Sequence, residues 1–359
     1  MRYYAHMVLP IDILSLTAEQ FALEARLRIP QTAGFANQIY KQVFSVGILD
    51  AEAFGASKKH ALVWNDLYTI GLLRLDSKIE EQGAVGLTSK LIFRTHDNLS
   101  IETVSIPMFG GTHTLCVSSQ IGCSRACAFC ETGTMGLVRN LNAAEIVSQV
   151  LSARLILGHN FRNIVFMGMG EPLDNLISVE QALKVLTDRR AFAYSMERLT
   201  ICTSGDAEDI QNLAQLGHKR LNLSISLNAA RDELRSQLMP INRSTPLSSL
   251  MAALKSYPKR KNFVLGVNYC LMPGLNDSEE DAHAIASFCQ EVGRALVNLI
   301  PYNPGRTPLT RAPNDTDIER FLSLLSSEKV PVRLRIEKGR SVMAACGQLG
   351  GCKDNAEVS

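Results

Sequence analysis

Apolar positions along the chain follow two different rhythms. Up to about residue 100 the elements are short and mixed. Thr17-x-x-Gln20 is a capping-box start for a short helix, and a second helical stretch from Gly34 to Val46 is followed by Gly47, where a C-terminal glycine belongs. The alternating run Ser89–Ile106 breaks at His96-Asp97-Asn98 and predicts a β-hairpin. From about residue 113, apolar strand-like runs alternate with capped segments of period 3.6, the signature of a parallel α/β architecture. The predicted strands are Thr112–Ser119, Asn163–Met169, Leu199–Ser204, Leu221–Leu227, Phe263–Met272 and Leu296–Tyr302, and a run at Val332–Ile336 extends or flanks the sheet. Asn142-x-x-Glu145, Ser178-x-x-Gln181 and Asp277-x-x-Glu280 read as helix-starting capping boxes. Thr245-Pro246 reads as an N-cap with proline at the first helical position, and Gly158 and Gly217 as helix-ending glycines.

Six β/α units are too few to close an eight-stranded barrel. The expected fold is therefore α/β, a partial (β/α)6 barrel with its site at the strand C-termini and a small mixed N-terminal domain before it. The boundaries fall at 1–100 for the N-terminal accessory unit and 101–351 for the core, with a frayed tail at 352–359.

Composition narrows the class. The 359 residues are 46% hydrophobic and 20% charged, which supports a sizeable buried core and argues against extended disorder. No apolar run approaches the length of a membrane span, and the N-terminus lacks the layout of a secretion signal, so a cytoplasmic protein without a membrane partner is expected. Lys plus Arg (37) nearly balances Asp plus Glu (35), so any nucleic-acid surface must be local.

The cysteines carry the chemistry. Of nine, Cys116, Cys123, Cys127 and Cys130 fall close together, unlike a secreted disulfide framework. Cys123, Cys127 and Cys130 follow the first strand of the parallel series. Three thiolates on one short loop suit a cubane iron–sulfur cluster whose fourth iron stays open to a small molecule. Structural zinc would need a fourth ligand at ordinary spacing after Cys130, and none is there. Met167-Gly-Met-Gly-Glu171-Pro172 ends the second strand with bare backbone and a carboxylate, groups suited to a bound ammonium.

The C-x3-C-x2-C loop after a first strand resembles the radical SAM superfamily. A narrower resemblance rests on Cys116-Val-Ser-Ser-Gln-Ile-Gly-Cys123, Thr132-Gly133-x-x-Gly136-Leu137-x-Arg139-Asn140-Leu141, Phe166-Met-Gly-Met-Gly-Glu171-Pro172, Leu238-Met-Pro-Ile-Asn242, Asn298-Leu-Ile-Pro-Tyr-Asn303-Pro304 and Ala344-Ala-Cys346-Gly-Gln-Leu349. In this order, from about residue 88 to 351, these strings are similar to the radical SAM adenine methyltransferases, the RlmN and Cfr group.

That resemblance implies one 4Fe-4S cluster on Cys123, Cys127 and Cys130, and two S-adenosylmethionine (SAM) molecules per turnover. One SAM methylates Cys346, and the 5′-deoxyadenosyl radical from the second abstracts hydrogen from that methyl group. The methylene radical then adds to an adenine carbon, a route open where the ring carbon is too poor a nucleophile for ordinary methyl transfer. The resemblance gives Glu102 the removal of the ring proton and Cys116 the release of product by attack on the Cys346 sulfur, with a disulfide formed. Gly170, Glu171, Cys202, Ser226, Leu227, Asn228 and Asn303 match SAM-binding positions. Three positions depart from the family pattern: Cys202 stands where serine is expected, Asn228 where histidine is usual, and Glu131 where a small residue is usual.

The implied substrate is an adenine in 23S ribosomal RNA, with transfer RNA a second candidate and C2 favoured over C8. A reducing donor such as flavodoxin is the expected partner of a monomeric enzyme. Lys255, Lys259, Arg260 and Lys261, and Arg333, Arg335, Lys338 and Arg340, are candidate phosphate contacts. Cys270, Cys289 and Cys352 read as core or surface thiols. Three alternatives remain open at this point: a C8 methyltransferase giving antibiotic resistance, another radical SAM enzyme such as an activase or small-molecule mutase, and a non-catalytic iron–sulfur or RNA-binding module.

Overall fold

The computed structural model of the chain describes residues 10–335, 339 and 343–350. Ten strands form its main sheet. In chain order they are β1 (Arg74–Gly83), β2 (Gly86–Arg94), β3 (Ser100–Met108), β4 (Thr112–Cys116), β5 (Asn163–Phe166), β6 (Leu199–Thr203), β7 (Asn222–Ser226), β8 (Leu265–Leu271), β9 (Ala295–Pro301) and β10 (Val332–Leu334). They lie in the order β10-β9-β8-β7-β6-β5-β4-β3-β2-β1. Pairing is parallel from β10 to β4 and antiparallel from β4 to β1. Among the described residues β1 and β10 do not pair, so the sheet remains an open partial barrel, as the strand arithmetic predicts. The predicted hairpin is β2–β3, and it continues the parallel sheet through β4. The run at 332–336 joins as the edge strand β10, with Ile336 outside the described residues.

Side-chain alternation gives the sheet two unlike faces. On β7, Leu223 and Ile225 join the hydrophobic core, and on β8 so do Leu265, Val267, Tyr269 and Leu271. The residues between them are Ser224, Ser226, Gly266, Asn268 and Cys270. The register carries this second, polar face across the strands: Cys202 pairs with Ser224, Ser226 with Asn268, and Asn268 with Asn298. At the other end it runs from Cys116 to Val104 and on to Lys90. One face of the sheet is thus core and the other lines a site.

The helix Ala143–Leu157 shows how the N-terminal unit is fastened to the sheet. It starts at the predicted Asn142/Glu145 capping box and ends at Gly158 in the left-handed conformation. Its residues from Ala143 to Ala153 are all buried, each large apolar side chain stabilising by about 1.5–3 kcal/mol. Ser148 accepts from Leu73 N at 2.8 Å. Gln149 accepts from Ser118 N at 2.7 Å, donates to Ser118 O at 2.9 Å and accepts from Thr103 Oγ1 at 2.9 Å, which holds the segment leaving β4. The N-terminal helices Ala18–Arg28, Ala36–Val46 and Lys58–Leu67 gather around Phe21, Tyr40, Phe44, Trp64 and Tyr68, whose rings pack together.

Three helix starts differ from expectation. Ser178 lies inside the helix Leu176–Thr187, whose N-cap is Asn175. The capping box of Glu279–Val292 is Ser278/Asp281, one residue beyond Asp277/Glu280, because the Asp277 carboxylate instead accepts from Gly274 N. Pro246 is itself the N-cap of Leu247–Ser256 rather than its first residue. The N-caps Asn175 and Pro246 make no side-chain cap hydrogen bond, and Leu247 N is instead taken by Asp232 Oδ1, a partner that local spacing does not reveal.

Candidate active site

The site lies in a cavity on the polar face, at the C-terminal ends of the parallel strands. Its wall includes Cys123, Cys127, Cys130, Gly170, Glu171, Cys202, Ser226, Asn228 and Cys346. The cysteine loop enters it after β4 and is held from several sides. Cys123 N donates to Gly136 O at 3.0 Å and Ala128 N to Leu238 O at 2.9 Å. Between the first two cysteines, Arg125 pairs with Asp174, with Asp209 at 2.9 Å and with Asp206 at 3.8 Å. One guanidinium thereby pins the loop to the segment after Glu171 and to the start of the helix Ala207–Gln215.

Burial raises all three thiols, Cys123 to about 11 and Cys127 and Cys130 also upward. Arg235 acts against this at Cys127. A pocket that disfavours free thiolates holds them when a metal supplies the opposing charge. Among the described residues the three sulfurs are not gathered within 4.8 Å of one another. A single tetrahedral ion with 2.3 Å bonds needs sulfurs about 3.8 Å apart, so this donor set fits a polynuclear cluster better than zinc. The carbonyl oxygen of the Asn303 side chain, buried at this end of the barrel, has no protein partner among the described residues. Buried polar atoms left open beside a cavity suit a polar ligand. The residues present therefore fit a cluster and SAM.

Glu171 is buried, and its two oxygens accept from Leu173 N at 3.2 Å and Ser204 N at 2.7 Å. Burial pushes its carboxyl upward. Gly170 has φ +96° and lies against Gln120, where an added Cβ would stand 2.4 Å from the Gln120 Cβ. Packing therefore requires this glycine whether or not a ligand also uses the bare backbone. On the barrel floor Asn268 donates to Cys202 Sγ at 3.0 Å and Asn298 donates to Asn268 at 3.0 Å, while Cys202 and Ser226 lie 3.6 Å apart. Cys202, raised by burial to about 12, is one member of this chain of polar contacts. Asn228, at φ +56°, accepts from Cys270 N at 2.9 Å. Leu227 is buried in the core and Asn303 lies just past β9, so the cavity wall there is Ile300 and Tyr302.

The segment 343–350 brings Cys346 to the cavity. Glu131 N donates to Gly347 O at 2.8 Å and Thr132 Oγ1 to Leu349 O at 2.7 Å, which ties this segment to the cysteine loop. Glu131, the departure noted in the sequence, also accepts from Arg306 N at 2.5 Å and so braces a third loop. Cys346 is exposed on the cavity wall. Burial of the segment raises its thiol and Arg335 opposes the rise. Ala344 and Leu349 pack with Cys116, Val104 and Met169. Cys116 is buried, its thiol raised by burial and further by nearby Cys346. Both thiols are free. Glu102, on the same face of β3 as Val104, is buried and ion-paired with Lys90 at 2.9 Å.

Several site residues escaped the sequence reading. Cys270, read there as a core or surface thiol, is on the cavity wall; its place two residues after Asn268 on β8 was the available signal. Arg235 is fully buried below the strand ends and donates to Ser204 O at 2.6 Å, Asn242 Oδ1 at 2.9 Å, Leu227 O at 3.3 Å and Ser226 O at 3.5 Å. Nothing in its spacing announces that role. Of the candidate phosphate contacts, Lys255 pairs with Glu291, Lys259 donates to Val292 O and Arg260 to Arg220 O and Asn222 Oδ1, at the strand N-terminal ends. Arg333 and Arg335 lie on or beside β10, whereas Lys338, Arg340 and Cys352 are outside the described residues. Away from the cavity, His96, Asp97 and Glu145 form a cluster of ligand-type side chains, but Arg139 already binds both carboxylates.

Residues 117–285 match the radical SAM superfamily. The chain is 40% identical over 343 residues to a probable dual-specificity RNA methyltransferase RlmN from Protochlamydia amoebophila, covering 95% of this chain and 94% of that one. It is 42% identical over 289 residues to the dual-specificity RNA methyltransferase RlmN of Geotalea uraniireducens, covering 80% and 82%. A crystal structure of a radical SAM methyltransferase from Sphaerobacter thermophilus superposes with a TM-score of 0.85 at 32% identity, covering 96% of this chain and all of that one. With the three-cysteine loop, the open α/β barrel and similarity over nearly the whole length in agreement, the chain belongs to the RlmN family of radical SAM RNA methyltransferases.

Proposed function

We propose that this protein methylates C2 of an adenine in 23S ribosomal RNA, and of an adenine in transfer RNA, through an S-methylated Cys346. The observation that carries the reading is the shared cavity: Cys346 stands on the wall that holds Cys123, Cys127 and Cys130, and packs through its own segment against Cys116. Cys123, Cys127 and Cys130 would hold the cluster, and Gly170, Glu171, Cys202, Ser226, Asn228 and Asn303 would surround SAM. When bound, the cluster and two SAM per turnover would supply the methyl group, the hydrogen-abstracting radical chemistry and the one-electron exchange that the addition needs. Cys346 presents its S-methyl carbon to the ring, and a carbon–carbon bond joins protein to RNA. Glu102 takes the ring proton. Cys116, as thiolate, then attacks the Cys346 sulfur; the sulfur–carbon bond breaks, a disulfide forms, and the released carbon takes up a proton to become the methyl group. An external reductant such as flavodoxin supplies the electrons for SAM cleavage, and the disulfide must be reduced before the next turnover.

The dual-specificity RNA methyltransferases among the relatives support an RNA substrate, and the preference for C2 over C8 rests on the family resemblance. The adenine must leave its stack to reach Cys346, which favours looped RNA. No helix among the described residues is long and apolar enough to cross a membrane; a monomeric, cytoplasmic enzyme is part of the proposal. Purified Cys116→Ala protein turned over with RNA should accumulate a covalent protein–RNA adduct on denaturing gels, and the Cys116→Ala/Cys346→Ala protein should not. Nucleosides from RNA treated with the unaltered enzyme should contain 2-methyladenosine. Absence of the adduct refutes the roles of the two thiols; 8-methyladenosine as main product refutes the position.

A further inference from the structure

Lys90 is fully buried, an uncommon place for a lysine. Its ammonium lies 2.9 Å from Glu102 Oε2, and both side chains are withdrawn from solvent, at 0% and 3% exposure. Register explains the meeting. Lys90 on β2 pairs with Val104 and Ile92 pairs with Glu102, so Lys90 and Glu102 are diagonal neighbours on one face; Val104 in turn pairs with Cys116 on β4. The same ammonium donates to Met343 O at 2.9 Å, just before Cys346 in the chain.

One side chain therefore links the carboxylate on β3 to the segment that delivers Cys346, directly across the strands from Cys116. A buried ion pair is a poor way to gain stability, because desolvation offsets most of the attraction. Its value here is geometric: it fixes where the carboxylate sits relative to the thiol. The Cys346 segment has other anchors, through Glu131 and Thr132. Among the described residues, Lys90 is the one charge partner of the Glu102 carboxylate. Loss of Lys90 should thus disturb Glu102 more than Cys346.

We propose that Lys90 is a positioning residue for ring-proton removal, holding the Glu102 carboxylate in register with Cys346. This rests on the roles given above to Glu102, Cys116 and Cys346. The consequence is a block at one stage: the carbon–carbon bond still forms, and the proton then leaves slowly.

The test compares holoenzyme variants turned over with total RNA from cells that lack the gene. Lys90→Met should lower kcat by about 100-fold, the low end of what a positioned general base contributes, with KM for RNA within about twofold. It should also accumulate a protein–RNA adduct, as should Glu102→Gln, while Lys90→Arg recovers part of the turnover. Lys90→Met leaves a buried carboxylate unpaired; the double variant Lys90→Met/Glu102→Gln removes that penalty and should still accumulate adduct. Turnover of Lys90→Met without adduct overturns the inference. So does loss of turnover without adduct in both Lys90→Met and the double variant while Cys116→Ala still forms one, because Lys90 would then serve the fold alone. If Cys116→Ala forms no adduct, the reading of the thiol pair fails first and this inference fails with it.

Discussion

Replacing Arg235 by methionine is a direct test of how the strand ends are held. Methionine keeps the apolar stem and removes the guanidinium. Two short bonds matter most, to Ser204 O at 2.6 Å and Asn242 Oδ1 at 2.9 Å; those at 3.3 and 3.5 Å are weak. A buried acceptor left without a donor costs about 1–3 kcal/mol, so two cost about 2–6. The opposing effect is relief of the buried charge. Burial lowers Arg235 to about 10, a shift that corresponds to about 3 kcal/mol returned when the charge is removed. The central expectation is a net destabilisation of about 1 kcal/mol, since the bonds slightly outweigh the burial cost. Urea unfolding of the cluster-free protein, followed by circular dichroism, should show a lower midpoint with an unchanged slope. Because Ser204 and Ser226 stand at the cavity and Cys127 loses a nearby positive charge, iron uptake on reconstitution should weaken as well. An unchanged or higher unfolding midpoint would refute the reasoning, showing that the charge costs more than its bonds return.

Two further outcomes follow from local geometry. The Arg139 guanidinium holds the Asp97 carboxyl well below the usual carboxylate range. A carboxyl lowered by folding adds stability above its unfolded value, about 3.9, and loses it as pH falls through the folded value. Asp97→Asn should therefore lower the melting temperature at pH 7 and flatten its decline below pH 4; an acid limb identical to that of the unaltered protein counts against the pairing. Gly170→Ala meets both a left-handed backbone and Gln120, whereas Gly217→Ala, at φ +72°, meets open space. The first should cost about 2–5 kcal/mol and the second about 1–2, and equal urea midpoints for the two would refute the packing argument at Gly170.

Much of the fold could be read from local signals. Five of the six interior strands of the parallel sheet are longer in the sequence reading than in the structure, because strand-like residues continue into the segments that flank the paired part of each strand. The capping boxes at Thr17 and Asn142 stand as predicted because their partners are three residues away. The helix Asp315–Ser327, with its Asn314/Asp317 capping box, was not anticipated, although its start signal was present. The three cluster cysteines were legible for a similar reason: one loop carries all three, so sequence spacing is already spatial spacing.

Chain chemistry alone determined the α/β alternation, the cysteine loop and the family of the enzyme, since each depends on residues close together or on strings in a fixed order. Tertiary structure decided what meets across distance. It brought Cys346 to a cavity shared with Cys123, turned Cys270 inward, buried Arg235 beneath the strand ends and paired Lys90 with Glu102. Those contacts depend on strand register and on which face of the sheet closes over the site, and a shift of one residue would send each side chain to the opposite face.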